Sequence, residues 1–317
     1  MDKVGTKFIF SEEEKKEIYD LFVNHGYSQR ALQRYYKVSQ KPMCRVLDEL
    51  GLDHSRGNLT SYKKYYPNGI YDENYEKEVM NEIKQVPFQK QKYTINDSYF
   101  DDIRNPEVIY VIGLLYADGC NHNCSQVTIA LEEKDGYLLQ EINEQLKNEN
   151  QVRFMDKSNK HDFGYDYENQ YSLDIYNKRM AMVLNILGVT PRKSLTLSFP
   201  RWLHPSLYSC FLKGVFDGDG SLYRYVKNDI PRNTVVTITS TEQFCMAICD
   251  IVSDQIKIRG HIYDASCHNG VTRVFSICGY DVCKKFLDWL YSTDTICLQR
   301  KYDRYCEYYD INNSLSA

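Results

Sequence analysis

The chain has 317 residues, 26% of them charged and 14% aromatic, with a net charge of −4 and an isoelectric point near 6.0. This length fits a small domain plus one large or two medium-sized domains. Since there is no run of about eighteen apolar residues and no secretory leader, we expect a soluble protein that is not exported. The negative net charge disfavours indiscriminate nucleic-acid binding, so a DNA-binding face would have to concentrate its basic residues locally.

The N-terminal segment carries start signals for three short helices. Ser11 and Glu14 have the capping-box spacing, Ser28 and Ser39 mark the second and third starts, and Gly51 ends the third helix. The residues expected to face inward are Ile18, Leu21, Phe22, Ala31, Leu32, Met43, Val46, Leu47 and Leu50. Three short helices with a tight turn between the second and the third predict a small all-α helix-turn-helix domain.

The second and third of these helices are basic, with no acidic residue from Ser28 to Leu47. Such a local excess of positive charge favours phosphate contacts, and the outer face of the third helix could enter a major groove. The predicted DNA-binding residues are Arg30, Arg34, Lys37, Gln40, Lys41 and Arg45, with Cys44 on the same outer face. The alternative is a structural or protein-binding module, because a charged outer face is ordinary for a helix.

A polar stretch rich in Tyr, Lys, Asn and Glu follows. A short helix is expected from Glu73 to Lys84, and the rest is expected to be a tether. The part from Tyr93 to Pro106 is expected to pack against the next domain. Pro106 suits the first turn of the helix that comes next.

A short apolar motif that ends in an acidic residue and a glycine occurs twice. The copies are Val-Ile-Gly-Leu-Leu-Tyr-Ala-Asp-Gly at 111–119 and Leu-Lys-Gly-Val-Phe-Asp-Gly-Asp-Gly at 212–220. In each copy two small residues lie four positions apart, Gly113 with Ala117 and Gly214 with Gly218, so that two helices could pack closely through these faces. Their C-terminal ends would then bring Asp118 and Asp219 together. Two carboxylates at the negative ends of helices repel each other unless a cation binds, and magnesium is the natural candidate.

The repetition extends beyond the motif. Each copy is followed by two strand-like runs, a helix, two further strand-like runs and a closing helix, at 178–187 in the first copy and 281–291 in the second. Each unit therefore has the order αββαββα. An Arg-Lys pair follows each closing helix, Arg192-Lys193 and Arg300-Lys301. The sequence thus divides into a helix-turn-helix domain (1–54), a linker (55–104), a first repeat (105–200) and a second repeat (201–317).

The two motifs and the αββαββα order resemble a single-chain LAGLIDADG homing endonuclease, although Tyr116 stands where an acid is common. The resemblance implies an α+β fold in which the two repeats form a pseudo-twofold saddle of antiparallel sheets. It implies that Asp118 and Asp219 bind the catalytic Mg²⁺ or Mn²⁺ ions, and that Lys193 and Lys301 lie beside the metal site as catalytic residues. Each DNA strand would be cut by metal-assisted attack of water, leaving a 3′ hydroxyl and staggered ends.

The same resemblance implies a monomer that acts on a long, non-palindromic site in double-stranded DNA. It places the protein in the cytoplasm of a bacterial or phage-infected cell, as the product of a mobile genetic element. The target sequence and the base-contacting residues of the sheets do not follow from the sequence.

Three alternatives stay open. The fold could serve a transcription regulator or RNA-splicing maturase that binds without cutting, although both carboxylates are retained. An intein is disfavoured, because the chain opens with Met1 and ends without a His-Asn pair. Cys120, His122 and Cys124 could suggest a zinc site, but structural thiols are favoured because no second Cys-x-x-Cys completes it. The eleven cysteines are expected to be reduced thiols packed as small apolar side chains.

Overall fold

The computed structural model describes residues 2–4, 7–23, 29–52, 65–66, 69–90, 92–157, 161–162, 165–166, 168–227, 230–265 and 272–311. The chain divides into two compact units, Met1–Gly69 and Ile70–Ala317. None of the described helices has the length and the hydropathy needed to span a bilayer.

The N-terminal unit contains a short antiparallel hairpin and three helices. The hairpin pairs β1 (Asp2–Val4) with β2 (Lys7–Ile9), and the helices are α1 (Glu12–Val23), α2 (Gln29–Tyr35) and α3 (Gln40–Glu49). The buried apolar core of this unit consists of Phe10, Ile18, Phe22, Leu32, Val38, Met43, Val46 and Leu47. The three predicted helices are therefore present, whereas the hairpin has strands too short to show an alternating pattern in the sequence.

The helix starts in this unit follow the predicted caps in part. The Ser11 amide donates to Glu14 Oε2 over 2.8 Å, and the Glu14 amide donates to Ser11 Oγ over 3.2 Å, so the capping box is formed. Ser39 precedes α3 without a hydrogen bond from its side chain to the helix. Ser28 and the side chain of Ala31 lie outside the described residues.

The helix expected from Glu73 to Lys84 is present, and the part from Tyr93 to Pro106 lies in the second compact unit, as expected. The linker predicted for residues 55–104 is wrong from Ile70 onward, because this segment belongs to that unit. It contains α4 (Glu73–Gln85), whose Val79 and Ile83 are buried, and a single 3₁₀ turn, Tyr99–Asp101. The Arg179 guanidinium donates to both carboxylate oxygens of Asp101 over 2.9 and 2.7 Å. This segment is polar, so its sequence suggests a tether. The ion pair between Arg179 and Asp101 joins residues 78 positions apart and produces no local sequence pattern.

The first repeat has the predicted αββαββα order. Its elements are α5 (Pro106–Asp118), β3 (Gly119–Asn121), β4 (Val127–Glu132), α6 (Gly136–Gln145), β5 (Arg153–Met155), β8 (Gln170–Ile175) and α7 (Lys178–Ile186). A small hairpin of β6 (His161–Asp162) and β7 (Tyr165–Asp166) is inserted before β8. The four main strands form an antiparallel sheet in the order β3-β4-β8-β5. Pro106 is the first residue of α5, as predicted, and Asn105 caps that helix through the Glu107 amide.

The second repeat has the same order. Its elements are α8 (Tyr208–Asp219), β9 (Gly220–Lys227), β10 (Ile230–Thr241), α9 (Glu242–Ile256), β11 (His261–Asp264), β12 (Thr272–Cys278) and α10 (Tyr280–Leu290). The strands form an antiparallel sheet in the order β11-β12-β10-β9. A further helix, α11 (Gln299–Tyr309), follows and was not predicted.

Each sheet has one face buried against helices. In β4 the buried residues are Val127, Ile129 and Leu131, and the residues between them are half-buried. In β10 the corresponding buried positions are Val236 and Ile238. This alternation leaves the opposite face of each sheet directed away from the helices.

Candidate active site

The two motif helices α5 and α8 touch backbone to backbone through their small residues. A methyl group added to Gly113 would lie 2.1 Å from the Phe211 carbonyl oxygen, and one added to Gly214 would lie 2.1 Å from the Tyr110 carbonyl oxygen. At the C-terminal end of the contact, a methyl group on Gly218 would lie 2.3 Å from the Ala117 Cβ atom. The close approach predicted from the spacing of small residues is therefore present.

Asp118 and Asp219 end these two helices next to each other. A Cβ atom on Gly218 would lie 2.8 Å from Asp118 Oδ2, so the Asp118 carboxylate borders the residue that precedes Asp219. Both aspartates retain access to solvent. Desolvation by the surrounding atoms, and after it the Asp118 carboxylate, raises the pKa of Asp219 to about 6. Desolvation also raises the pKa of Asp118, while Lys301 and Lys193 act in the opposite direction.

The two predicted lysines are buried beneath the carboxylates. Lys193 Nζ donates to the carbonyl oxygens of Ala117 and Gly119 over 3.2 and 2.7 Å. Lys301 Nζ donates to the carbonyl oxygens of Phe216, Asp217 and Gly220 over 2.5, 2.8 and 2.5 Å. Each ammonium group therefore caps the C-terminus of one motif helix and places a positive charge at its negative end.

Burial lowers the pKa of both lysines. Desolvation lowers the pKa of Lys301 to about 8, although the Asp217 carboxylate opposes this shift. Desolvation also lowers the pKa of Lys193, opposed by Asp219 and Asp118. Both lysines thus interact electrostatically with Asp118 and Asp219, as the predicted position beside the metal site requires.

Asp217, two residues before Asp219, was not predicted to matter. It is fully buried, and its Oδ2 atom accepts hydrogen bonds from the Tyr110 hydroxyl and the Leu298 amide, both over 2.8 Å. Desolvation raises the pKa of Asp217 to about 6. At the matching position of the first motif, Tyr116 donates its hydroxyl to the Leu187 carbonyl oxygen over 2.6 Å. Both residues thus bind the segment after a closing helix, but with opposite hydrogen-bonding roles.

The predicted DNA-binding residues of the N-terminal unit lie mainly at its surface. Arg34, Lys37, Gln40, Lys41 and Arg45 are exposed, and α3 buries its opposite side. The side chain of Arg30 lies outside the described residues. Cys44 is half-buried, and its Sγ atom accepts a hydrogen bond from the Gln29 side chain over 2.8 Å.

The two aspartates fit a hard divalent cation. In the described part of the chain, no three His, Cys, Asp or Glu side chains converge as a metal-binding group. Mg²⁺ commonly binds through one or two carboxylates and completes its shell with water and substrate phosphates, which this pair allows. In the Cys120–Cys124 segment, the His122 ring contacts the Thr128 hydroxyl over 3.2 Å.

Solved structures that are similar to this chain include the meganuclease I-SmaMI bound to uncleaveable DNA, with 13% sequence identity and a TM-score of 0.43 over 65% of this chain and 89% of that chain. The LAGLIDADG homing endonuclease I-LtrWI bound to target DNA has 13% identity and a TM-score of 0.41 over 69% and 92% of the two chains. The LAGLIDADG homing endonuclease I-GzeII in complex with a DNA target has 12% identity and a TM-score of 0.42 over 65% and 89%. No protein-family model and no curated protein sequence matches the chain. Two αββαββα repeats, joined by motif helices in backbone contact and bearing paired aspartates, are the architecture that the resemblance to LAGLIDADG homing endonucleases predicts.

Proposed function

We propose that the chain is a site-specific double-strand DNA endonuclease whose Asp118 and Asp219 carboxylates hold divalent metal ions. The observation that carries this proposal is the meeting of two solvent-accessible carboxylates at the adjoining C-terminal ends of α5 and α8. The two groups repel each other and the helix dipoles, and the proximity of Asp118 contributes to the raised pKa of Asp219. A bound cation would remove this repulsion.

The chemistry expected of Mg²⁺ or Mn²⁺ held there is activation of water and stabilisation of the departing oxygen of a phosphodiester. The buried ammonium groups of Lys193 and Lys301 hold the ends of the motif helices and keep both aspartates in place. Their positive charge also favours the approach of a phosphate group. We therefore assign both lysines to the catalytic machinery.

The two repeats in one chain supply one carboxylate each, so a monomer would suffice to cut both strands. The repeats differ at matching positions, as Tyr116 and Asp217 illustrate, and need not bind identical half-sites. We therefore expect a long, non-palindromic target. The N-terminal unit, with its exposed basic residues on α2, α3 and the turn between them, is proposed to act as an additional DNA-binding arm.

The test is cleavage of a plasmid library that carries randomised inserts, with Mg²⁺ in the reaction. The Asp118→Asn and Asp219→Asn variants should lose double-strand cutting and keep most of their DNA affinity. Asp254→Asn is the matched control, because this exposed aspartate lies on α9 and pairs only loosely with Lys257, with 3.9 Å between Oδ1 and Nζ. Undiminished cutting by either motif variant would overturn the assigned metal ligands.

The rival function is a protein that binds DNA or RNA without cutting it. It would be supported if the wild-type chain bound a selected duplex tightly and left it intact with either Mg²⁺ or Mn²⁺. The retention of both motif aspartates in adjoining positions favours the endonuclease.

A further inference from the structure

Arg153 and Asp174 lie on the outward face of the first sheet, which is the face that points away from the helices. On β8 the buried residues Leu173 and Ile175 point toward the helices, so Asp174 between them points outward. Arg153 on β5 is paired with Ser172, the preceding outward residue of β8. The two charged side chains therefore share one surface.

These side chains form an ion pair that two hydroxyl groups support. Arg153 Nη2 donates to Asp174 Oδ2 over 3.0 Å. The other carboxylate oxygen, Oδ1, accepts from the Thr128 hydroxyl over 2.8 Å and from the Ser172 hydroxyl over 3.4 Å. The Asp174 side chain is 12% exposed, whereas the Arg153 side chain is 62% exposed. Asp174 is thus held within the sheet, and it binds a guanidinium group that stays accessible from outside.

The same surface begins beside the carboxylate pair. Cys120, two residues after Asp118, is paired with Thr128, and Thr128 is paired in turn with Asp174. Arg153 lies on β5, the edge strand next to β8. A duplex engaged at the motif aspartates and lying on this face would therefore pass over Asp174 and contact Arg153.

We propose that Arg153 recognises a guanine in the half-site bound by the first repeat, and that Asp174 is the residue that positions it. This inference rests on the DNA-binding part of the proposed function and assigns a specificity-determining residue to it. A base contact of this kind fixes the identity of one base pair, whereas a phosphate contact carries no sequence information.

The donor geometry of arginine supports this role. A guanidinium group has five N–H donors in a planar fork, and Asp174 accepts from one of them. The donors that remain still include two neighbouring ones, which the O6 and N7 acceptors of guanine require in the major groove. An arginine side chain loses rotamer freedom when it binds a base. The contact with Asp174 reduces this loss, because it already restricts the side chain of Arg153.

The second sheet has different residues at the matching positions. Ser276 corresponds to Asp174, since each is paired with the threonine of a Val-Thr-Ile segment. Tyr263 corresponds to Arg153, since each is paired with the residue two positions before. A phenol hydroxyl has one donor hydrogen and cannot bind O6 and N7 together. At this position the two half-sites should therefore differ.

The first experiment selects bound duplexes from a randomised library with the full chain in Ca²⁺, so that binding is separated from cutting. The wild type should prefer guanine at one base pair by about 5- to 150-fold over the other bases. Arg153→Ala should lose this preference and keep its selection at the other base pairs. The variant should fold, because an ion pair with an exposed arginine contributes little to stability, and thermal unfolding checks this.

A phosphate contact would give a different result. Arg153→Ala would then bind all sequences more weakly by the same factor, and the slope of log affinity against log salt would fall by about one. That result, or a guanine preference that survives in Arg153→Ala, would overturn the inference and leave the proposed function standing.

Two variants are controls. Tyr263→Ala, at the matching position of the second sheet, should leave the preference for this guanine unchanged. Lys284→Ala removes an ion pair with Asp288 on α10, on the helical side of the second repeat, and should select the wild-type sequence. Loss of the guanine preference in either control would contradict its assignment to Arg153.

The second experiment tests the positioning role of Asp174. Asp174→Asn can keep an oxygen acceptor for the Thr128 and Ser172 hydroxyls, but it replaces the acceptor of Arg153 with an NH₂ donor. It should reduce the preference for the same guanine, and the double variant with Arg153→Ala should lose no more of it than Arg153→Ala alone. A merely structural role would weaken binding to every duplex and leave this preference intact, which would overturn the positioning role.

The outcomes separate the two proposals. A chain that selects no duplex sequence would overturn the proposed function and this inference together. A chain that binds with a guanine preference dependent on Arg153, but cuts with neither Mg²⁺ nor Mn²⁺, would support this inference and overturn only the nuclease activity.

Discussion

Arg300 Nε donates to both carboxylate oxygens of Asp135, over 3.0 Å to Oδ1 and 2.8 Å to Oδ2. Asp135 is buried at the turn before α6 of the first repeat, and Arg300 lies in the first turn of α11. The hydroxyl group of Tyr137 adds a second link, because it accepts a hydrogen bond from the Gln299 amide. The first repeat therefore holds the start of the helix that carries Lys301.

Asp135→Asn should disturb Lys301 and slow one of the two strand cuts. Loss of a partly buried ion pair should also lower the free energy of unfolding by about 1–2 kcal/mol, because Arg300 remains partly exposed to water. We expect nicked plasmid to accumulate, with one cut slowed roughly three- to tenfold. The measurement is the ratio of nicked to linear product over time.

Lys134→Gln is the control for this variant, because Lys134 is adjacent and its ion pair with Glu132 is at the surface. The control should give the wild-type ratio of products. Unchanged kinetics in Asp135→Asn would show that the link does not position Lys301.

The helix contact predicts a graded response to added methyl groups. Gly214→Ala forces a methyl group against the backbone at Tyr110 and Leu114, which can move little, and should cost about 3 kcal/mol or more. Gly218→Ala meets mainly the side chains of Ala117 and Asp118 and should cost about 1–2 kcal/mol. Unfolding in urea measures both values. The opposite ranking, or two values near zero, would contradict the backbone contact.

Divalent cations should stabilise the folded protein. A cation that binds only the folded state at ten to a hundred times its Kd raises the free energy of unfolding by about 1.4–2.7 kcal/mol. Asp219→Asn should abolish most of this gain, and should itself be more stable than wild type in chelator at pH 7.5, because it removes one of two repelling charges. The measurement is the shift in Tm with and without Mg²⁺ or Ca²⁺, and Asp254→Asn should behave as wild type.

Lys213 should make the free energy of unfolding depend on pH in the alkaline range. Its ammonium group is buried and donates to the carbonyl oxygens of Thr293 and Thr295, and desolvation lowers its pKa from the ordinary value of 10.5. Between the lowered pKa and 10.5 the unfolded chain binds more protons than the folded one, so this group makes the free energy of unfolding increase as pH rises. Below the lowered pKa its contribution no longer changes with pH.

The measurement compares urea unfolding of wild type and Lys213→Met from pH 7 to pH 10. Tyrosines, whose ordinary pKa is 10.0, ionise in both proteins, so their effect cancels in the difference. The difference between the two proteins should change with pH in favour of wild type. The variant also loses two hydrogen bonds, so the test depends on the slope and not on the absolute stability. Parallel curves would show that Lys213 is not responsible.

The N-terminal arm should affect site selection and not chemistry. Deletion of residues 1–52 should relax selection from a randomised library while a good site is still cut. Within the full chain, Lys41→Ala or Arg45→Ala should each reduce the slope of log affinity against log salt by about one. Lys284→Ala, on the helical side of the second repeat, is the control. A truncated protein that cuts no site would contradict the accessory role.

The features that the sequence predicted depend on local spacing. Small residues four apart fixed the faces of α5 and α8, and alternation in β4 and β10 fixed the two sheets. Helix α11 was missed because its buried residues are Lys301, Tyr305, Cys306 and Tyr309, none of them aliphatic. Contacts between residues far apart in the chain were missed as well.

Asp217 and Asp135 illustrate the second limit. Asp217 accepts a hydrogen bond from an amide 81 residues away, and Asp135 binds an arginine 165 residues away. The motif marks Asp217 as an acid within an apolar helix but does not show its partners, and the sequence around Asp135 resembles that of a surface aspartate. Their burial and their partners become visible only in the folded structure, where segments far apart in the chain are in contact.

In the proposed endonuclease, the backbone contact between α5 and α8 would set the distance between the two places where the strands are cut. That distance is fixed by glycines and not by the strands of either sheet. Side chains on the sheets can therefore diverge, and the sequence that they recognise can change, while the length of the overhang stays constant. Reprogramming such a protein toward a new target would accordingly alter what is cut without altering how far apart the cuts fall.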